Sequence, residues 1–274
     1  MERRRLTAFR LLFALPLALA LSACAAADRP PPAETADRAQ APAYLEPRIH
    51  ARLAEATPAP PEPGSAGDRA DRAASARDAS LIDTDRWRLA QTHAELEPAL
   101  ALQHFDCPLN TRLSQNPPQA LTRLMRRALA DAGAAATLAR ARSHRPGPAA
   151  DDPARRACIR LTDSARSGSS HPDRHAVAGA LWGEIFAELA PDQGGALRRR
   201  GAAIGRSRAV CALAWPTDVS DGQALGLRLH QALQTDDAYR ADVAAARREL
   251  AAARALGRTN PGCAAEARAL AQDP

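Results

Sequence analysis

The chain has 274 residues, 46% of them hydrophobic and 25% charged, enough for one packed domain with appendages. Aromatic residues make up only 3%, the apolar positions are mostly Ala and Leu, and β-branched and aromatic strand formers are scarce, so an all-α fold is expected. The formal charge is +6, all 37 Lys+Arg positions being Arg, but four Arg and one Glu in the first 23 residues account for half of that excess. The rest is interleaved with acidic residues, which argues for a mixed, solvated surface and against nucleic acid as a partner.

Residues 1–23 have a basic start (Arg3, Arg4, Arg5, Arg10) and an apolar run from Leu11 to Leu21, too short to cross a bilayer, so they read as an export signal. The signal ends Leu21-Ser22-Ala23-Cys24, which resembles the lipobox of bacterial lipoproteins and makes Cys24 the lipidated N-terminus; an ordinary cleavage site is the alternative. By the same resemblance, Ala25 after the cysteine implies the periplasmic side of the outer membrane, with acyl chains as the membrane contact.

Residues 24–79 are rich in Pro, Ala, Asp and Arg, with Pro30-Pro31-Pro32 and PAPPEPG from Pro58 to Gly64, and are expected to form a disordered tether. A short helix over residues 47–56, with Pro47 in its first turn, is the one element the pattern offers there. The folded domain is expected over residues 80–274. Trp87, Leu89 and Leu96 mark an early helix or helix edge. Leu121, Leu124, Met125, Leu129 and Ala132 recur at spacings of three and four, as on an amphipathic helix. Val177, Leu181, Ile185, Phe186 and Leu189 define a buried helix that Pro191 ends. Two more are expected over residues 198–211 and 219–233, where Gly201, Gly205, Gly222 and Gly226 permit close helix approach. Tyr239, Val243, Ala246 and Leu250 line a last long helix.

With Cys24 assigned to lipid, Cys107, Cys158, Cys211 and Cys263 remain, an even number in a compartment that permits disulfides. Four cysteines allow three pairings, and spacing alone does not choose. No CxxC pair or other ligand cluster implies a metal, and no Gly-rich fingerprint implies a nucleotide cofactor.

The stretches LADAGAAATLARA, EIFAELAPDQGGALRRRGAAIGRSRAVCALAWPTDV and DDAYRADVAAARRELAAARA with CAAEARAL resemble the bacterial class A non-specific acid phosphatases, of the type 2 phosphatidic acid phosphatase and vanadium haloperoxidase superfamily, over residues 86–270. The resemblance implies a single helical-bundle domain and the disulfides Cys158–Cys211 and Cys107–Cys263. It also implies a three-part signature: Lys, six residues, Arg-Pro; then Pro-Ser-Gly-His; then Ser-Arg, five residues, His, three residues, Asp. A phosphomonoester dianion needs fixed cations and donors on its equatorial oxygens, one His to attack phosphorus, another to protonate the leaving oxygen, and an Asp to orient the attacking imidazole.

Carried over in register, the signature is incomplete. Its Lys falls on Arg140 and its Arg-Pro on Gly147-Pro148, with Arg145-Pro146 two residues away as an alternative. Pro172-Asp173-Arg174-His175 stands for Pro-Ser-Gly-His, keeping the general-acid position in His175 but putting a carboxylate at Asp173 and a bulky side chain at Arg174 in the phosphate cradle. Ser207 and Arg208 are kept, as is the orienting Asp218, but Ala214 occupies the nucleophile position, and alanine cannot attack phosphorus. His144 and His171 are the only nearby substitutes. Without an imidazole partner, Asp218 is expected to cap a helix or pair with an Arg. The implied protein is a catalytically degenerate acid-phosphatase-like lipoprotein that keeps a partial pocket for phosphate or a phosphomonoester. An active hydrolase and a structural, partner-binding envelope lipoprotein are the alternatives.

Overall fold

A computed structural model describes residues 42–273, and the export signal, Cys24 and the tether as far as residue 41 lie outside them. Nine helices of eight or more residues are found among the described residues: α1 (Pro47–Glu55), α2 (Ala66–Asp78), α3 (Asp85–Thr92), α4 (Gln119–Arg140), α5 (Arg174–Leu189), α6 (Gly194–Val210), α7 (Pro216–Leu233), α8 (Asp237–Ala255) and α9 (Cys263–Leu270). No strand occurs among those residues, so the fold is a helical bundle.

The axis of the bundle is α5, which is apolar nearly all round and is packed by α4, α6, α7 and α8. Trp182, Ile185, Phe186 and Leu181 on it are fully buried, each such side chain contributing about 1.5–3 kcal/mol of transfer free energy. The Trp182 indole donates to the Met125 carbonyl of α4 at 3.1 Å, so its one polar atom is satisfied inside the core. On the other side of α5 the helices meet backbone to backbone: a Cβ on Gly179 would lie 2.6 Å from the Gly201 carbonyl oxygen of α6, and one on Gly226 of α7 2.5 Å from the Val177 carbonyl oxygen. Glycine is required at these crossings by space, at some loss of helix propensity. Leu189 ends α5 ahead of Pro191, and Tyr239, Val243, Ala246 and Leu250 turn the inner face of α8 to the core.

The expected tether is corrected over residues 42–79, where α1 and α2 fold onto the bundle. Asp131 of α4 accepts from the Tyr44 and Leu45 backbone N–H groups, each at 3.0 Å, and pairs with His50 Nε2 at 2.7 Å, fixing the entry of α1. In α2 no apolar residue is larger than alanine, yet Asp68, Asp71, Ser75 and Asp78 are buried. Its order comes from ion pairs: Asp71 takes Arg145 Nη2 at 2.7 Å and Asp78 takes both terminal nitrogens of Arg206 at 2.6 Å. A composition argument that counts only apolar burial misses such a helix.

Disulfides join Cys107 to Cys263 and Cys158 to Cys211, with Cα separations of 5.4 and 4.8 Å, the two pairs that the resemblance implies. No helix of the described residues is long and apolar enough to cross a membrane.

Candidate functional site

Three helix ends converge at one end of the bundle: the C-terminus of α4 with Arg140, the N-terminus of α5 with Arg174 and His175, and the last turn of α6 with Arg208. They surround a cavity of about 470 Å³. Asp173 is the N-cap of α5. One of its oxygens accepts from the Ala176 N–H at 2.8 Å and the other from Arg208 Nε at 3.3 Å. The carboxylate expected to repel phosphate is therefore engaged by a helix N-terminus and a guanidinium. Arg174, open to solvent, is the first helical residue of α5, a conformation any side chain adopts.

His175 Nε2 lies 3.2 Å from the Ala94 carbonyl oxygen, and since a carbonyl only accepts, Nε2 carries the proton. Burial, reinforced by Arg208, drives its pKa down to about 3, so the imidazole is neutral from weakly acid pH upward. Burial also lowers the Arg140 pKa, with Asp173 opposing and Arg174 and Arg208 reinforcing. The Nη1 atom of Arg208 is buried without a hydrogen-bond partner, shielded from the open space of the cavity that the residue lines. Such a group is costly to leave unpaired.

The remaining signature positions do not enter the cavity. Ser207 is adjacent to Arg208, but successive helical residues point about 100° apart, and its hydroxyl faces the opposite side of α6. There it donates to the Ala203 carbonyl at 2.9 Å and accepts from Arg86 Nη1 at 3.0 Å and His93 Nδ1 at 2.7 Å. The phosphate-binding role expected of Ser207 is thereby corrected. Ala214 is fully buried in a small apolar cluster with Ala176, Ala209 and Val219 and does not line the cavity. Gly147, at the signature's Arg position, lines it with backbone only: a Cβ would lie 2.9 Å from the Leu213 carbonyl carbon, so no side chain fits there.

Arg145 does not replace the missing Arg, because its guanidinium spans Asp71 at 2.7 Å and Asp218 at 2.8 Å. Asp218, in the first turn of α7, also accepts from the Trp215 N–H at 2.8 Å and the Ser170 hydroxyl at 2.6 Å. It has both the helix-capping bond and the Arg partner expected of it. Burial raises the Asp218 pKa against these donors. Burial works against the Arg145 charge, but Asp218 and Asp71 outweigh it and raise its pKa. His171 is buried with Nε2 2.8 Å from Asp221, His144 is exposed, and neither lines the cavity.

Sequence reasoning missed the opposite wall, made by Ile159, Arg160, Leu161 and Leu213. The one signal for it was the Cys158–Cys211 pair, which sets residues after 158 beside residues after 211. Among the described residues no cluster of His, Cys, Asp or Glu could hold a metal.

Arginines at three helix ends of a helical bundle gather around one small cavity, an arrangement that can offer charge-assisted hydrogen bonds to an anion. Over 188 residues the chain is 32% identical to an acid phosphatase of Zymomonas mobilis, the match covering 64% of this chain and 66% of that protein. Over 85 residues it is 34% identical to a non-specific acid phosphatase of Salmonella typhimurium and 32% identical to one of Salmonella typhi, covering 31% of this chain and 34% of each. The chain is thus a homologue of proteins named acid phosphatase, spanning just under two thirds of the first and about a third of the others. No protein-family profile matches it.

Proposed function

We propose that this protein is a phosphatase-like lipoprotein of the cell envelope, anchored through Cys24, that binds phosphate or a phosphomonoester and does not hydrolyse it. The observation that carries the reading is the split within the signature. Arg140, Arg174, His175 and Arg208 surround one cavity, whereas the nucleophile position is an alanine buried outside it. The first set can hold a dianion by charge-assisted hydrogen bonds. With alanine at the nucleophile position and the His175 Nε2 committed to the Ala94 carbonyl, no second imidazole is left to form a phosphoenzyme.

The chemistry left to the cavity is binding. His175, neutral and donating to Ala94, is not charged to protonate a leaving oxygen. Phosphate and vanadate at millimolar concentration should raise the melting point of the purified protein, and an aryl phosphate should not be turned over between pH 4 and 8. Turnover that His175→Ala abolishes would establish the active hydrolase instead, and no melting shift with either anion would leave a structural role.

A further inference from the structure

The cavity is two-sided, and resting on the anion-site reading above, we propose that its ligand is a phosphomonoester whose alcohol part is a compact apolar group, aryl or short alkyl, seated on a shelf of Ile159, Leu161 and Leu213. Arg140, Arg174, Arg208 and His175, with the helix-capping Asp173, form the polar side, and Arg160 and Thr162 line the cavity beside the shelf residues. Its volume of about 470 Å³ is in the range of small-molecule sites and well beyond what a bare phosphate fills.

The shelf is built in advance of any ligand. Ile159 and Leu161 pack against a buried cluster that contains Leu81, Trp87, Val210 and Leu213. The Cys158–Cys211 disulfide runs through that cluster and ties the segment carrying Ile159 and Leu161 to the one carrying Leu213. Gln91 Nε2 holds the same segment by donating to the Cys158 carbonyl at 2.7 Å. A preformed apolar surface binds without the cost of ordering its side chains.

The ligand orientation follows from the two sides: phosphate oxygens toward the side chains of Arg140, Arg174 and Arg208, the ester substituent toward Leu161. A phenyl ring that removes about 60 Å² of apolar surface from water beyond what a methyl group removes gains about tenfold in affinity.

The test is calorimetric titration of the full chain with inorganic phosphate, methylphosphonate and phenylphosphonate, whose C–P bonds resist hydrolysis so that turnover cannot confuse the reading. Phenylphosphonate should bind about tenfold more tightly than methylphosphonate. Leu161→Asn should cut that ratio below about threefold, and Leu161→Ala should give an intermediate ratio if the asparagine variant does not fold. Equal affinities for the two phosphonates, or a ratio indifferent to residue 161, would overturn the shelf while keeping the anion site. Failure of phosphate and both phosphonates to bind would overturn the anion site and the shelf together.

Discussion

Replacing Arg145 by methionine should destabilise the domain strongly and leave anion binding intact. The guanidinium is buried at 7% exposure, and it joins two carboxylates whose side chains are 4% exposed at Asp71 and 0% at Asp218. Methionine fills most of the volume but leaves both carboxylates without their cation, a loss of about 3–5 kcal/mol. For a domain of this size that is a melting point lower by roughly 6–20 °C. Urea denaturation followed by far-UV circular dichroism measures it, with the triple change Arg145→Met, Asp71→Asn, Asp218→Asn expected to recover part of the loss by removing the uncompensated charges. Phosphate titration below the variant's melting range should give the wild-type affinity, because Arg145 does not line the cavity. A loss of stability under about 1 kcal/mol, or a tenfold loss of phosphate affinity in the folded variant, would refute the assignment of Arg145 as a clamp and return it to the anion site.

Arg208→Met should weaken phosphate binding at least tenfold in the same titration, since it removes one of the guanidinium groups that line the cavity and the partner of Asp173, and Ser207→Ala should leave binding unchanged. Acid should destabilise the fold: burial drives the His104 pKa down to about 4 and holds His93 well below its ordinary value, with His104, Arg200 and Arg86 adding to the effect on His93. Between an unfolded value near 6.5 and the depressed folded values the unfolded chain binds more protons, so stability falls as pH drops through that window, by about 2 kcal/mol for His104 alone at pH 5. Urea midpoints at pH 7, 6 and 5 should show the fall, and His104→Gln should make it shallower, leaving the part that His93 contributes. Restoring the signature with Ala214→His, Asp173→Ser and Arg174→Gly should give no aryl phosphate hydrolysis and a less stable protein, because a ring at 214 overpacks the cluster of Ala176, Ala209 and Val219; recovered activity would show that this side chain reaches the phosphate. Cys24→Ala should move the protein from the membrane to the soluble fraction on cell fractionation.

Much of the bundle was legible in the sequence because its helices are apolar along a stripe, as in α4 and α8, or nearly all round, as in α5. The spacing of Leu121, Leu124 and Met125 and the stop at Pro191 sufficed for α4 and α5. Helix α2 was illegible because no apolar stripe exists in it, and the residue that orders it, Arg145, lies 74 positions away from Asp71. At the site, motif register groups Arg140, Asp173, Arg174, His175 and Arg208, and these five line one cavity. It failed at Ser207, where a motif written as two adjacent letters hides that neighbours on a helix look in different directions. The apolar wall was out of reach for a different reason: Ile159 and Leu161 sit in a segment without periodicity, placed by a covalent cross-link and not by a repeating face.

The Asp131 junction has a mechanical meaning. The described chain enters the bundle at the Tyr44 and Leu45 amides and His50, all held by one carboxylate on α4, whereas the cavity takes Arg140 from the far end of the same helix, about 14 Å along its axis. A pull on the preceding residues is borne by that carboxylate and by α1 lying on α4 before it reaches the arginines. The bundle can hang from its N-terminal side with the geometry of its anion site undisturbed.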